Sequence, residues 1–445
     1  MSLRKNVSDK TGLCFFPAFD WAISPTHPER EERLLYTYDQ IVEEGVLDLP
    51  SIREYAPVSV DEKHIWRTHF LVPDLASNIT PSHRVAVGGV IALADAFMKG
   101  EIKNAFALIR PPGHHAFKMV YGNRGFCNIN NEAILVDYLR SVYGIKRIAI
   151  VDTDCHHGDG TQDIFWNDPD VLCISMHQDG RTIFPGSGAV NEAGGPSAYG
   201  YTLNFPLPPN TGEKGFLQVL EKGIMPILEE FKPEIIINSA GQDNIYNDPI
   251  TNMNFSAQGY ARLTEILKPD IAVLEGGYSI ESSLPYTNLG ILLALAGEDY
   301  SFVHETDYAP SKVTQTPEHD KYIEGVIAQV LDIWKNRGKG SKERGRVEEG
   351  FYTRTKRVFY DTDGIVDLQL EKTKQCPHCA GFMVMDSKCR ERGYHVLALS
   401  VPFGACAACE EEASQLAAQE GKSKAYDYVY LQQQKQDYLK IYPEI

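Results

Sequence analysis

The chain has 445 residues, 43% of them hydrophobic and 23% charged, and carries a formal net charge of −17. That length exceeds one ordinary hydrophobic core, which implies one large domain with an addition, or two domains. The acidic balance argues against a general nucleic-acid binder, since phosphate contacts need a basic face, though it leaves room for one basic patch. No uninterrupted apolar stretch is long enough to cross a bilayer, and the first residues lead into no apolar segment with a small-residue cleavage site. Five of the nine cysteines fall after residue 375, a pattern that suits local metal binding in a reducing, cytoplasmic setting better than a disulfide framework.

In chain order, short apolar runs lie at 105–109, 147–151, 171–176, 201–205, 235–238 and 271–274. Between them are helical patterns at 82–99, 130–143, 213–231 and 256–267, followed by 280–296. This βαβ rhythm predicts an α/β fold, a parallel sheet with helices on both faces. Ile323, Val326, Ile327, Val330, Leu331 and Trp334 keep helical spacing and predict a last helix over 317–334. From Gly338 to Gly345 there is nothing to bury, which places a linker at 338–347 between a domain at 1–337 and a second at 348–445. Beyond it, 351–360 and 365–370 flank Asp361-Thr362-Asp363-Gly364, a hairpin signal. A helix is expected from Glu411, then a Gln- and Tyr-rich tail without a readable pattern.

Chemistry gathers at strand ends. The run Arg147-Ile148-Ala149-Ile150 breaks into Val151-Asp152-Thr153-Asp154-Cys155-His156-His157-Gly158-Asp159-Gly160. If the strand continues through Asp154, alternation sets Asp152, Asp154 and His156 on one face, where Asp154 and His156 can grip one ion. A second pair, His114-His115, follows another strand, and Asp152 and Asp159 are the carboxylates available to orient imidazoles. A carboxylate accepting an imidazole N–H fixes the tautomer and raises the basicity of the other nitrogen. Asp243, ending a further strand, completes a three-ligand set with a fourth position free for water, the mark of a catalytic zinc.

Arg-Pro-Pro-Gly-His-His-Ala at 110–116, Gly-Phe-Cys-Asn-Ile-Asn-Asn at 125–131 and Asp-Thr-Asp-Cys-His-His-Gly-Asp-Gly at 152–160 carry a resemblance. Phe-Pro-Gly-Ser-Gly at 184–188, Ser-Ala-Gly-Gln-Asp at 239–243 and Glu-Gly-Gly-Tyr at 275–278 extend it. Residues 12–336 resemble the histone deacetylase superfamily, which includes acetylpolyamine amidohydrolases and acetoin-utilisation proteins. The resemblance implies the arginase/deacetylase fold and a Zn2+ held by Asp154, His156 and Asp243. It implies His115 as general base and acid, oriented by Asp159, with His114, backed by Asp152, beside it. Tyr278 would donate its hydroxyl to the substrate carbonyl, and Gly125, Phe126 and Phe184 would wall a narrow tunnel for an acylated lysine or polyamine arm. A monovalent cation, commonly K+ in this family, would sit against Asp152, Asp154 and His156, with Ser175 and Met176. Two-metal arginase chemistry would need extra bridging carboxylates, and Asp248 lies five residues beyond Asp243.

Two Cys-x-x-Cys knuckles, Cys376/Cys379 and Cys406/Cys409, separated by 26 residues, match a four-thiolate zinc ribbon, with Cys389 and His378 as spare ligands. A closed four-thiolate site has no room for substrate, so this second zinc is expected to be structural, in a small β-rich module that docks a protein partner. Cys14, Cys127, Cys155 and Cys173 read as small core residues, and His157 as a structural hydrogen-bonder. The sequence thus predicts a cytoplasmic zinc-dependent amidohydrolase that removes an acetyl or other acyl group from a lysine-like or polyamine amine by metal-activated water. It would have no membrane association, with oligomerisation left open. The contrasting expectation is a scaffold that recruits partners through the ribbon and only binds an acylated ligand.

Overall fold

The computed structural model describes residues 7–338 and 346–442. In chain order the first region contains β1 (Thr11–Phe16), α1 (Glu32–Glu43), β2 (Ile52–Glu54), α2 (Glu62–Thr68), β3 (Phe70–Leu71), α3 (Pro81–Met98), β4 (Asn104–Ile109), β5 (Met119–Val120) and α4 (Asn131–Tyr143). It continues with β6 (Ile148–Asp152), α5 (Asp159–Phe165), β7 (Val171–Gln178), β8 (Thr202–Leu207), α6 (Glu213–Val219), α7 (Met225–Phe231), β9 (Ile235–Ala240), α8 (Ala257–Leu267), β10 (Ile271–Leu274), α9 (Leu284–Ala296) and α10 (Pro317–Lys335). Eight strands pair in parallel in the order β2-β1-β4-β10-β9-β6-β7-β8. Strands buried on both faces must be apolar throughout, which is why β6 reads Ile-Ala-Ile-Val before its terminal aspartate. Its Ala149 and Val151 face a core formed with α1 and α6 to α10, while Ile148 and Ile150 face α3 and α4.

The helical pattern over 213–231 is interrupted by a wider turn at Leu220–Ile224. Pro226 has no N–H to give to the preceding turn, and Gly223 lies so close to the Phe205 ring that a Cβ would come within 2.8 Å of it. Strand β6 stops at Asp152, so the expectation that it runs on through Asp154 is corrected. The side chains beyond it fold back onto the chain instead: Asp152 Oδ1 accepts the Asp154 N–H at 3.0 Å, and Asp154 Oδ1 accepts the His156 N–H at 2.8 Å.

The expected linker at 338–347 lies outside the described residues except at its ends. The second region starts with β11 (Arg346–Glu348) and continues with β12 (Phe351–Tyr360), β13 (Ile365–Lys374), β14 (Met383–Cys389), β15 (Tyr394–Val401), α11 (Ala407–Ser423), β16 (Tyr428–Gln433) and β17 (Tyr438–Tyr442). These strands form one seven-stranded sheet in sequence order, antiparallel except where α11 carries the chain from β15 to a parallel β16. The hairpin expected at 361–364 is present, with Tyr360 opposite Ile365. One face of this sheet shares a core with the first region: Phe70, Val72, Met119 and Tyr121 pack with Val358, Tyr360, Met385 and Tyr430. The other face lies under α11, where Val384, Leu399 and Leu431 meet Ala413 and Ala417. The second region is a separate β-rich layer whose inner face is part of the molecule's interior.

Candidate active site

The loops following β4, β10, β9, β6 and β7, five adjacent strands, meet at one edge of the parallel sheet, the place where open α/β sheets bind ligands. There His114 Nδ1 lies 3.0 Å from Asp152 Oδ2 and His115 Nδ1 lies 2.8 Å from Asp159 Oδ1, with the two imidazole rings 4.1 Å apart. All four residues are buried. At His115 the Asp159 carboxylate at Nδ1 assigns the proton there and leaves Nε2 as the acceptor. Burial, reinforced by neighbouring His114, pushes the His115 pKa down from 6.5 to about 3. Burial also opposes charge on His114, but Asp154 and Asp152 outweigh it and lift that imidazole to about 10.

Asp154, His156 and Asp243 each offer one ligand atom, all within 4.8 Å of one another. His156 Nδ1 stands 3.2 Å from Asp154 Oδ1 and 2.9 Å from Asp243 Oδ2, near the roughly 3.3 Å edge of a tetrahedron with Zn–N and Zn–O bonds of about 2.0 Å. Both carboxylates are fully buried, and among the described residues no lysine or arginine pairs with either. Two buried negative charges facing one imidazole call for a cation, so the donor set fits a divalent metal. Glycine at 276 permits this convergence, since a Cβ there would lie 2.6 Å from Asp154 Oδ2 and 3.0 Å from Asp243 Cγ. Asp248 stands apart from the set; its Oδ2 accepts the Tyr278 N–H at 2.7 Å.

Tyr278 is buried, its ring edge-on to Phe126 at 5.7 Å, with the Arg33 guanidinium 4.7 Å from its centroid. Burial holds its phenol well above 10, so the hydroxyl stays protonated and able to donate. Phe184 lies edge-on to His115 at 5.1 Å. Gly125 comes so close that a Cβ would stand 2.7 Å from His115 Cγ and 3.0 Å from Phe184. Gly125 and Phe126 have φ values of +50° and +69°. A bulky side chain in the left-handed region costs about 1–3 kcal/mol, so this loop needs outside support.

Strand pairing sets Asp152 beside Ser175, followed by Met176, next to the turn carrying Asp154 and His156. His157 is a structural hydrogen-bonder, 2.9 Å from Ser187 Oγ and 3.2 Å from Gln162 Oε1. Cys155 points its thiol at Gln178 Oε1, 3.7 Å away in the core.

Several residues at the site were given no role by the sequence. Buried Glu29 joins Arg33 to Arg110, and Arg33 donates to the carbonyls of Gly277 at 2.8 Å and Glu275 at 2.6 Å, fixing the backbone that presents Tyr278. Glu275 Oε2 accepts the Gly113 and His114 N–H groups at 2.8 and 3.1 Å. Arg124 bonds Asp159 behind His115 and lies 5.0 Å from the centre of the Phe184 ring. Unbroken polar stretches such as 27–33 have no periodicity to announce burial.

The four cysteines converge at the far end of the second sheet. Cys376 Sγ is 3.8 Å from Cys406 Sγ, and Cys379 Sγ is 3.6 Å from Cys409 Sγ. A tetrahedron of 2.3 Å Zn–S bonds requires sulfurs about 3.8 Å apart, so the set fits zinc. One knuckle lies between β13 and β14 and the other opens α11, so the cluster clips the helix to the sheet. Cys389 lies in the cluster on the opposite face and His378 is outside the group, which removes both as alternates.

Residues 73–289 match the histone deacetylase domain, a span that contains the histidine pair, the Asp-His-Asp group and Tyr278. A probable deacetylase of Archaeoglobus fulgidus is 45% identical over 315 residues, covering 64% of this chain and 86% of that protein. The histone deacetylase-like amidohydrolase of Pseudomonas aeruginosa is 34% identical over 223 residues, 48% of this chain and 58% of its own length. The crystal structure of the HDA15 HD domain superposes with a TM-score of 0.63 at 26% identity, covering 74% of this chain and 96% of that domain. Sheet, site and relatives agree: this chain belongs to the histone deacetylase family.

Proposed function

We propose that the chain is a zinc-dependent hydrolase of linear carboxamides, removing an acetyl or other acyl group from a lysine-like or polyamine amine. The observation that carries this reading is the His115–Asp159 pair, a neutral imidazole with its free nitrogen beside three buried donor atoms that need a cation. Asp154, His156 and Asp243 would hold zinc, which when bound polarises the amide carbonyl and lowers the proton affinity of water. His115 takes the proton of the attacking water at Nε2 and returns it to the departing amine, while Asp159 keeps Nδ1–H in place. His114, backed by Asp152 at 3.0 Å, packs its ring beside that of His115. The Tyr278 hydroxyl donates to the amide oxygen as charge builds there. Phe126, Phe184 and Gly125 line the approach and exclude water from an aliphatic arm. A K+ beside Asp152 and Ser175 would stiffen the turn that presents Asp154 and His156. A second zinc in the cysteine cluster would be structural, which suits a reducing cytoplasm. Residues 1–337 then form the catalytic domain and 348–445 an appended domain, joined by 338–347.

The test is a parallel assay on an acetyl-lysine peptide, acetylputrescine and a longer acyl-lysine, with chelator treatment and zinc add-back. His115→Ala and Asp154→Ala should each lose nearly all activity. Either variant hydrolysing as fast as the parent would refute the assignment, and a parent that binds acyl amides without cleaving them would favour a scaffold.

A further inference from the structure

The turn at 361–364 does more than join two strands. Asp361 Oδ1 accepts the Gly125 N–H at 2.8 Å, Asp363 Oδ2 accepts the Asn123 N–H at 2.7 Å, and the Thr362 hydroxyl donates to Asn123 Oδ1 at 2.6 Å. One residue before β12 ends, the Phe359 carbonyl accepts from the Arg124 guanidinium, whose other arm reaches Asp159. Each contact falls on the loop whose Gly125 and Phe126 are in the left-handed region, against His115 and Tyr278. A second grip lies further down the same hairpin. Lys356 and Arg354 on β12 pair with Asp163 on α5, whose first residue is Asp159. Glu371 on β13 pairs with both cations. Tyr360 adds a bond to the Met119 carbonyl at 2.7 Å.

We propose that the β12–β13 hairpin is a working part of the active site: its Asp361-Thr362-Asp363 turn holds the loop from Asn123 to Phe126 in its strained form, and its strands seat Arg124 and Asp159 behind His115. The inference rests on the hydrolase reading above. It assigns the second region a role in shaping the site, in place of a role confined to recruiting partners. Asp361 and Asp363 are positioning residues: they bond the loop's amides, and the loop meets the reacting groups. Backbone N–H groups in a left-handed turn cannot all be satisfied locally, and a carboxylate from outside is a strong acceptor for them.

Deleting the second region would expose the shared core, so the test uses point changes in the full-length protein. Asp361 is half-buried and Asp363 exposed, so neither change threatens the fold. Asp361→Ala, Asp363→Ala and the double variant are compared with the parent by thermal melting, by hydrogen exchange over residues 119–128, and by kcat and KM on an acetyl-lysine peptide. Expected are a melting midpoint within a few degrees of the parent's, faster exchange confined to that loop, and a roughly ten- to hundredfold loss of kcat that exceeds any rise in KM. Asp361→Asn keeps an accepting oxygen and should recover most of the loss. Unchanged exchange would overturn the proposal, including the case where activity falls alone, which would mean that the carboxylates meet substrate directly. Faster exchange with undiminished kcat would overturn it equally. A parent inactive on every acyl amide would remove the hydrolase reading, and the exchange measurement would still decide whether the turn holds the loop.

Discussion

Replacing Arg354 with methionine probes how firmly the second sheet grips the helix that starts with Asp159. Arg354 bonds Glu371 through Nε at 2.8 Å and Nη2 at 2.9 Å, approaches Asp163 at 3.3 Å, and lies 4.6 Å from the centre of the Trp166 ring. Glu371 is 1% exposed, so burial alone would raise its pKa, but Arg354 and Lys356 outweigh burial and bring it from 4.5 to about 2. A carboxylate whose folded pKa is depressed stabilises the fold fully above its unfolded value and loses that contribution as pH falls from 4.5 toward 2. The difference corresponds to about 3 kcal/mol at neutral pH. Methionine replaces the aliphatic stem but leaves Glu371 with Lys356 alone, 3.0 Å away. Lys356 keeps its share of that stabilisation, so the expected loss is only part of it, about 2 kcal/mol. Urea unfolding followed by tryptophan fluorescence, at pH 7 and in steps down to pH 3, reads both effects as midpoints, since a chain of this size need not unfold in one step. The variant should unfold at lower urea at pH 7. It should also lose less on acidification, because its Glu371 is protonated at a higher pH. A urea midpoint at pH 7 equal to the parent's, with the parent's acid sensitivity intact, would mean that Lys356 neutralises both carboxylates unaided and that the reasoning is wrong.

Two further outcomes follow from the site. Tyr278→Phe keeps the ring packed on Phe126 and Arg33 and removes only the hydroxyl; kcat on acetyl-lysine peptide should fall roughly a hundred- to a thousandfold with KM and bound metal nearly unchanged. Cys379→Ser should lower the bound zinc, measured by elemental analysis, from two per chain to one and reduce the melting temperature, because α11 loses its clip to the sheet.

The catalytic edge was legible in the sequence because buried parallel strands write themselves as apolar runs, and the residues just beyond them are where such sheets do chemistry. Asp152, Asp154, His156 and Asp243 could be placed from that alone, although the chain turns at Asp152 rather than running straight on. Strands β1 and β2 were missed together with α1 between them, although α1 sets Leu34 and Ile41 on one buried face. The second sheet hid its inner face for a different reason. Strand β13 turns Asp367, Gln369 and Glu371 inward while Leu368 is 45% exposed, so alternation read by hydrophobicity points the wrong way. The buried carboxylates of Asp367 and Glu371 are met by Ser387, Arg354 and Lys356, which no spacing rule brings together. The Asp-Thr-Asp-Gly signature announced a turn, and nothing in it told what the turn would touch.

The bonds from that turn to the tunnel loop join residues 236 to 240 positions apart. During synthesis at about 5–20 residues per second, the loop with its histidines leaves the ribosome on the order of tens of seconds before the strands that fasten it. Through that interval the nascent chain already holds the Asp-His-Asp group and its histidine pair, but lacks the bonds that Asp361 and Asp363 make to the loop beside them. A ribosome that stopped short of residue 361 would release a chain whose loop from Asn123 to Phe126 lacks these bonds. If the turn holds the loop as proposed, activity waits on the synthesis of residue 363, a consequence of the order in which the parts are made.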